Sequence, residues 1–311
     1  MKIGMVVAIP WAELCREALD AQPYPQTLKS VTLPALPGVV DAFLQKSADP
    51  NASAQQLAAT LESDSGITCE LLRHVNSASY AGDTRIGSVA QAITILGLRK
   101  AKSFVTTVGI QAAMAASKTR VMNQTTFWNE SLQRALFARE VACTGKLDGD
   151  VAFLGALLQD FLLPVFASEY PEEYFQYLSL AREEGFELCD YERGLFNCDH
   201  ATAAAHLAHN WNLPDDLVCC IFYHHQIPFL AGHPVLGDSV CLPVAISSLL
   251  FGQMRQVRQG EERLIDLDRM TDIFDLATVC EAVDAQLQEM AQGNRVQFPL
   301  ARRFRHRLSS A

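Results

Sequence analysis

Apolar residues in this chain recur mostly at helical spacing, and the alternating apolar and polar runs that are typical of strands are nearly absent. Ser53 with Gln56 and Ser88 with Gln91 fit the capping-box pattern, in which the serine accepts from a backbone amide and the glutamine reaches back. Helices are therefore predicted to begin near residues 54 and 89. The pattern as a whole predicts an all-α protein.

The predicted helices fall into two lobes. Short helices form a first lobe from about residue 33 to 116, and the polar stretch 117–126 links it to a second lobe. A further helical block is predicted over residues 264–292. The helices of the second lobe are predicted near residues 127–143, 150–162, 171–184, 199–210, 215–224 and 242–254.

Length and composition indicate an ordinary globular protein. A chain of 311 residues with 49% apolar residues can bury its core without a metal or disulfide. Its nine cysteines are odd in number and lack C-x-x-C spacing, which favours reduced and mostly buried thiols. The adjacent pair Cys219-Cys220 could act as a redox sensor, but two small apolar residues on a helix are the favoured interpretation.

Neither a secretory signal nor a membrane span is predicted. The first apolar run is short and is cut by Pro10, and no run of about 18 apolar residues without charge occurs. We therefore expect a cytoplasmic protein with no membrane partner.

Net charge argues against general nucleic-acid binding, because the chain carries a formal charge of −10 and duplex affinity depends on Lys and Arg. The tail over residues 295–311 is the exception, with five arginines, one histidine and no acidic residue. It could dock on an acidic partner, but a solvated chain end is the favoured interpretation.

A distinctive motif lies between residues 71 and 102, which read LLRHVNSASYAGDTRIGSVAQAITILGLRKAK. This stretch closely resembles the HDOD family, whose members are similar to HD-type metal phosphohydrolases that have lost catalysis and serve in bacterial signalling. The residues that carry the resemblance are Asn76-Ser77-Ala78, Tyr80, Gly82, Ile86, Ala92-Ile93 and Leu96-Gly97.

The resemblance implies an HD-like helical bundle with a smaller N-terminal helical lobe. It extends over residues 32–251, with the smaller lobe at about 33–116 and the HD-like lobe at about 125–251. An N-terminal extension, residues 1–31, precedes this domain. A C-terminal helical extension with the basic tail, residues 252–311, follows it.

The resemblance also implies where metal ligands would lie, and several are replaced. In HD-type enzymes histidines and aspartates converge on one or two metals that acidify a water molecule. Asn129 and Glu130 follow Phe127-Trp128 where the first histidine is expected, and Gln159 precedes Asp160 where the His-Asp pair is expected. Ser247-Ser248 stands where a late aspartate is expected.

Asp160, His200, His224 and His225 are the ligands that survive, with Glu130 as a conceivable substitute. This set is too small for two metals that bridge an activated water, so no catalytic residue and no cofactor are expected. The alternatives are a single divalent ion at these residues, or a closed pocket in which Asp160 hydrogen-bonds His200 or His224. Because neighbouring helix residues point about 100° apart, one of His224 and His225 is expected to lie outside the site unless a helix ends there.

The function that the resemblance implies is non-catalytic bacterial signal transduction. The chain would be an output module for a regulatory or signalling protein in trans, or a sensor of a small anionic messenger. Basic residues such as Arg73 and Arg99 could serve an anionic nucleotide pocket between the lobes, whereas Asn76 and the serines after it could simply terminate a helix. The alternative is a residual metal-dependent phosphohydrolase that acts on a nucleotide or phosphodiester.

A second histidine pair, His206 and His209, shares one helix face. No third ligand is evident in the sequence. A solvated helix face is therefore the favoured interpretation.

Overall fold

The protein is helical throughout the residues that the computed structural model describes, which are 9–26, 31, 35–49, 51–76, 86–114, 117–183, 185–290 and 299–308. No strand occurs within these ranges. The predicted all-α class is therefore confirmed.

A 3-10 helix lies at Leu236–Asp238. The helix Val89–Met114 contains a kink at Gly97, whose φ of +76° is readily adopted only by glycine. The helices are α1 (Trp11–Ala21), α2 (Gly38–Ser47), α3 (Ala54–Leu61), α4 (Ser65–Val75), α5 (Val89–Met114), α6 (Gln124–Thr144), α7 (Gly149–Leu158), α8 (Leu163–Glu169), α9 (Pro171–Glu183), α10 (Leu188–Phe196), α11 (His200–Asn210), α12 (Asp215–Tyr223), α13 (Ile227–Gly232), α14 (Cys241–Ser247), α15 (Gly260–Met270), α16 (Leu276–Met290) and α17 (Leu300–Leu308).

The chain divides into two compact units. The smaller unit comprises residues 30–124 and 161–171, and the larger comprises residues 1–29, 125–160 and 172–311. This division differs from the lobes inferred from the sequence, because α8 belongs to the smaller unit and α1 to the larger.

Both predicted capping positions start a helix in the smaller unit. Ser53 and Gln56 form the complete capping box at the start of α3. At the start of α5, Ser88 Oγ accepts from Gln91 N at 3.2 Å. The two predicted helix starts are confirmed, because a local side-chain bond satisfies amides that the helix itself leaves free.

The core of the smaller unit is formed by the apolar faces of α2, α3, α4 and α5. Asn76 ends α4 by donating to the carbonyls of Leu72 and Ile86 and accepting from Ile86 N, each at 2.8 Å. The helix-terminating interpretation is therefore confirmed for Asn76, while the rest of the motif, residues 77–85, lies outside the described residues. The largest fully buried side chains of this core are Phe43, Leu57, Leu61 and Leu71.

The larger unit is organised around α12, which packs against α1, α7, α11 and α14. Every residue of α7 from Val151 to Leu158 is buried. A helix that is apolar on all sides belongs in a protein core. The central position of α7 and α12 brings the residues at their C-terminal ends close together.

Three helices were predicted with boundaries that differ from those in the structure. The helix predicted over 150–162 ends at Leu158, because residues 159–162 form a turn before α8, which starts at Leu163 with Pro164 in its first turn. The helix predicted over 242–254 ends at Ser247, because Ser247 and Ser248 bond back to carbonyls at 2.7 Å. The block predicted over 264–292 is two helices, α15 and α16, separated by a turn that Asp275 caps.

Among the residues that the structure describes, one segment of 21 residues, Gly149–Glu169, has the length and apolar composition to cross a membrane. Its most apolar part is 94% buried inside the protein, and the turn at residues 159–162 interrupts it. The core helices of water-soluble proteins have the same length and composition, so the segment is weak evidence for a membrane span.

Replacing Asp275 with alanine is expected to destabilise the larger unit by about 1 kcal/mol, because its Oδ1 accepts from Thr278 N at 2.6 Å as the N-cap of α16. The hydrogen bonds from Thr278 lower the pKa of Asp275 below 3.8. Its contribution is therefore complete above pH 3.8 and is lost as the pH falls through the lowered pKa. Urea unfolding at pH 7 and at pH 3 measures the difference, and the exposed Asp272→Ala serves as the charge-matched control. An equal loss at both pH values would contradict the assignment.

Candidate functional site

The centre of the candidate site is the turn after α7, which carries Gln159 and Asp160. Asp160 is only 1% exposed. Since a buried carboxylate must be paired or hydrogen-bonded, its partners define the site. All of them belong to the larger unit.

Three histidines reach Asp160 from the ends of two helices. His200 is the first residue of α11, and the N-cap Asp199 accepts from Thr202 N at 2.8 Å. His224 and His225 directly follow the last residue of α12. Because the helix ends at Tyr223, the exception stated for a helix end applies, and both side chains join the group around Asp160.

These four residues, Asp160, His200, His224 and His225, form what we call the Asp–His cluster. Asp160 Oδ1 lies 3.3 Å from His200 Nε2 and 3.2 Å from His224 Nε2. His225 Nε2 lies 3.2 Å from His200 Nε2. One candidate ligand atom from each residue lies within 4.8 Å of the other three.

The other ring nitrogens of two histidines are held from outside the cluster. His200 Nδ1 lies 2.6 Å from Glu192 Oε2, and Tyr174 OH donates to Glu192 Oε1 at 2.6 Å. His224 Nδ1 lies 2.7 Å from the carbonyl of Ile221. These contacts direct both Nε2 atoms towards Asp160.

The second oxygen of Asp160 forms an ion pair with Arg134 of α6. Arg134 Nη1 lies 3.0 Å from Asp160 Oδ2, and its Nη2 donates to the carbonyl of Leu250 at 3.3 Å. Gln256 Nε2 also donates to Oδ2 at 3.0 Å, while Gln256 Oε1 lies 3.0 Å from His225 Nε2. Arg134 and Gln256 therefore hold Oδ2 of Asp160, while Oδ1 faces His200 and His224.

The sequence interpretation missed Arg134, Glu192 and Gln256. All three are buried polar or charged residues. A usable signal was present for Arg134, because it precedes the apolar run Ala135-Leu136-Phe137 on the buried face of α6, where an unpaired arginine is rare. Glu192 and Gln256 carry no comparable local signal.

Burial and charge act in opposite directions on the pKa values of the cluster. Burial alone would raise the pKa of Asp160, but the close imidazoles of His200 and His224 and the charge of Arg134 hold it well below its usual range. Burial alone would lower the pKa of His200, but the carboxylates of Glu192 and Asp160 raise it to about 10. Without a bound cation, these two carboxylates favour the protonated form of His200.

The structure describes the residues that stand where the family resemblance implies metal ligands. Ser247 Oγ donates to Gln159 Oε1 at 3.4 Å, so the two replacements lie side by side next to Asp160. Asn129 is exposed. Glu130, the conceivable substitute ligand, instead accepts from Gln253 N at 3.0 and 3.1 Å and does not join the four donors of the cluster. Burial raises the pKa of Glu130 against the opposing charge of Arg134.

His206 and His209 do not form a joint site. His206 is buried, with its Nε2 2.6 Å from the carbonyl of Gln22, so the solvated face expected for it is wrong. His206 is buried because α1 and the residues after it cover this face of α11. His209 is exposed and groups with Cys15 and Asp215 instead.

The cysteines match the composition-based prediction of mostly buried thiols, because only Cys69 and Cys143 are exposed. Cys219 and Cys220 are both buried. The hydrogen bond with Cys241 and burial raise the pKa of Cys220. A raised thiol pKa disfavours the reactive thiolate, which supports the interpretation of this pair as core residues.

The basic residues proposed for an anion pocket lie on the smaller unit. Arg73 is exposed and forms an ion pair with Glu70 of the same helix. Arg99 is also exposed. The contact with Glu70 offsets the charge that Arg73 could offer to an anion.

The Asp–His cluster fits one metal ion and does not fit two. Asp160 Oδ1 and His224 Nε2 are buried, and neither has a hydrogen-bond partner among the described residues, although they lie 3.2 Å apart. Three imidazoles and a carboxylate are a suitable donor set for a zinc-type ion. A second ion would need Asp160 Oδ2, which Arg134 and Gln256 occupy.

Comparisons with known proteins match the fold described above. The family model of the HDOD domain matches residues 33–227. An HDOD domain protein of unknown function from Geobacter sulfurreducens is similar in structure, with 23% identity and a TM-score of 0.57, over 96% of this chain and 93% of that protein. At this identity the likeness shows the fold alone.

Two further structures have the same TM-score of 0.57. One, from Shewanella amazonensis SB2B, is provisionally named a phosphohydrolase and is 17% identical over 84% of this chain and 90% of that protein. The other, from Marinobacter aquaeolei VT8, is provisionally named a signal transduction protein and is 19% identical over 90% of this chain and 65% of that protein.

A curated relative, an uncharacterized protein of Treponema pallidum (strain Nichols), is 25% identical over 201 residues, which are 63% of this chain. The match spans only 38% of the length of that relative.

Replacing Arg134 with methionine is expected to lower the free energy of unfolding by about 3–5 kcal/mol, because it leaves the buried charge of Asp160 unpaired. The double variant Arg134→Met, Asp160→Asn is expected to recover part of this loss, because the stranded charge is gone. Arg193→Met is the control and is expected to lose less than about 1 kcal/mol, since Arg193 is half-exposed in its ion pairs. Urea unfolding measures all three, and equal losses for Arg134 and Arg193 would contradict the prediction.

Proposed function

This chain belongs to the HDOD domain family, and we propose that it is a non-catalytic module of signal transduction. The observation that supports this most directly is the state of Asp160, whose Oδ2 is held by Arg134 and Gln256 at 3.0 Å each. Hydrolysis by a metal centre requires a metal-bound water beside the substrate. In this chain the aspartate that would organise such a centre is already bound by protein groups.

The replaced ligands support the same proposal. Gln159 and Ser247 form a neutral polar pair beside Asp160, where the family resemblance implies a histidine and an aspartate. A neutral amide binds transition metals poorly. Compared with the ligand set that the resemblance implies, the larger unit therefore has fewer charged metal donors around Asp160.

Burial of the cluster also disfavours catalysis. Asp160, His200 and His224 are each at most 1% exposed. A phosphate ester would have to reach these groups through the packed ends of α7, α11 and α12. We propose that the output of the protein lies in its binding of a regulatory or signalling protein in trans, in a bacterial cytoplasm.

A residual metal-dependent phosphohydrolase is the second candidate, because the Asp–His cluster has the donors for one ion. In such an enzyme Asp160, His200, His224 and His225 would hold the ion, and the ion would supply an acidified water. The two candidates differ in whether turnover depends on His225.

Purified protein is expected to give no hydrolysis above background when nucleotides, cyclic dinucleotides and model phosphodiesters are each supplied with Mn²⁺, Fe²⁺, Zn²⁺ or Mg²⁺. His225→Gln is the test variant, because His225 is the partly exposed member of the cluster and its loss disturbs the core least. His209→Gln is the matched control outside the cluster.

Turnover that is lost in His225→Gln and kept in His209→Gln, with unchanged circular dichroism and Tm, would overturn the proposal in favour of the phosphohydrolase. Equal background rates in all three proteins support the non-catalytic module.

A further inference from the structure

We propose that the Asp–His cluster is a closed site for one zinc-type transition-metal ion, with every coordination position filled by the protein. The donors are Asp160 Oδ1 and the Nε2 atoms of His200, His224 and His225. This inference goes beyond the proposed function, because it specifies a closed, structural ion where the sequence left a single divalent ion and a hydrogen-bonded pocket as alternatives.

The spacing of the donors is the first support. Four ligands at zinc-type bond lengths of about 2.0–2.1 Å around a tetrahedron lie about 3.3–3.4 Å from one another. The distances from Asp160 Oδ1 to His200 Nε2 and His224 Nε2 are 3.3 and 3.2 Å, and His225 Nε2 is 3.2 Å from His200 Nε2. Three of the six donor pairs therefore already have tetrahedral spacing, and the other three lie within 4.8 Å.

Unsatisfied buried atoms are the second support. Asp160 Oδ1 and His224 Nε2 have no hydrogen-bond partner among the described residues, although both residues are at most 1% exposed. Buried polar atoms are normally satisfied, and a native exception asks for an explanation such as an ion. A single cation between these two atoms would satisfy both.

The outer contacts of the histidines are the third support. A histidine that binds a metal usually donates its other N–H to a carboxylate or a backbone carbonyl. His200 Nδ1 is 2.6 Å from Glu192, which is itself held by Tyr174, and His224 Nδ1 is 2.7 Å from the carbonyl of Ile221. Both contacts leave Nε2 free to bind an ion.

Arg134 limits the site to one ion. Its guanidinium lies 3.0 Å from Asp160 Oδ2 and supplies a fixed positive charge on the side where a second metal would share the carboxylate. Arg134 is 3% exposed, so this charge cannot move away into solvent. The protein itself thus takes the place of a second cation.

His225 provides the route by which an ion would reach the site. It is the partly exposed donor, and its Nε2 contacts Gln256 Oε1 at 3.0 Å. Binding would exchange this hydrogen bond for the metal bond. The closed site would then join the ends of α7, α11 and α12 and leave no position for a water nucleophile.

The donor set predicts the metal. Three imidazoles with one carboxylate favour Zn²⁺, Co²⁺ or Ni²⁺ over Mg²⁺ and Ca²⁺, which prefer oxygen ligands. Untagged protein purified without chelator is expected to contain one equivalent of zinc by elemental analysis. Its Tm is expected to fall on treatment with a chelator and to recover with Zn²⁺ but not with Mg²⁺.

Cobalt distinguishes a closed site from an open one. Co²⁺ bound by four protein ligands in a tetrahedron is expected to give the strong visible absorption of that geometry, unchanged by added phosphate or azide. A weak six-coordinate spectrum, or one that shifts with these anions, would overturn the closed site.

His225→Gln is expected to bind Co²⁺ more than about 100-fold more weakly, since even the loss of an outer contact costs about 10–100-fold. His209→Gln is the control, and it is expected to bind as the wild type does. His209 groups with Cys15 and Asp215, so a loss confined to His209→Gln would place the ion at that second cluster and overturn the inference.

Different experimental results would contradict the closed metal site and the proposed non-catalytic function. A protein without zinc, without cobalt absorption and without hydrolytic turnover overturns the closed site and leaves the non-catalytic module standing. One bound ion together with turnover that depends on His225 overturns both. Two bound equivalents that are lost together in His225→Gln overturn the single-ion assignment.

Discussion

The buried ion pair between Arg134 and Asp160 is the interaction on which the interior of the larger unit depends. Removing both charges from water is unfavourable, and only close pairing with further hydrogen bonds offsets this. Arg134 meets Asp160 Oδ2 at 3.0 Å and also binds the carbonyl of Leu250. A single side chain of α6 thereby holds the turn after α7 and the segment after α14 in place.

A continuous polar network extends from this pair through the core. Asp160 contacts His200, His200 contacts Glu192, and Glu192 accepts from Tyr174. When no ion is bound, the two carboxylates are balanced in charge by Arg134 and by the protonated form of His200. A zinc-type ion would have to displace the proton of His200, and its affinity would depend on pH for that reason.

Neutral polar side chains fill the interior beside Asp160. Gln159 and Ser247 contact each other, and Gln256 links Asp160 to His225. Neutral groups of this kind satisfy one another at short range and require no cation. An interior of this kind packs and is hydrogen-bonded like an ordinary protein core, which is compatible with the non-catalytic role proposed above.

The sequence by itself determined the all-α class, the helix starts at Ser53 and Ser88 and the four members of the Asp–His cluster as candidates, because caps are local and the family motif identifies positions. Only the tertiary structure decided that His224 and His225 both face Asp160, and that Arg134, Glu192 and Gln256 complete the network. Those contacts join residues 8 to 96 positions apart, across turns and between helices, or depend on where a helix ends. Local periodicity carries no information about such convergence, since it is set by how α6, α7, α11 and α12 pack.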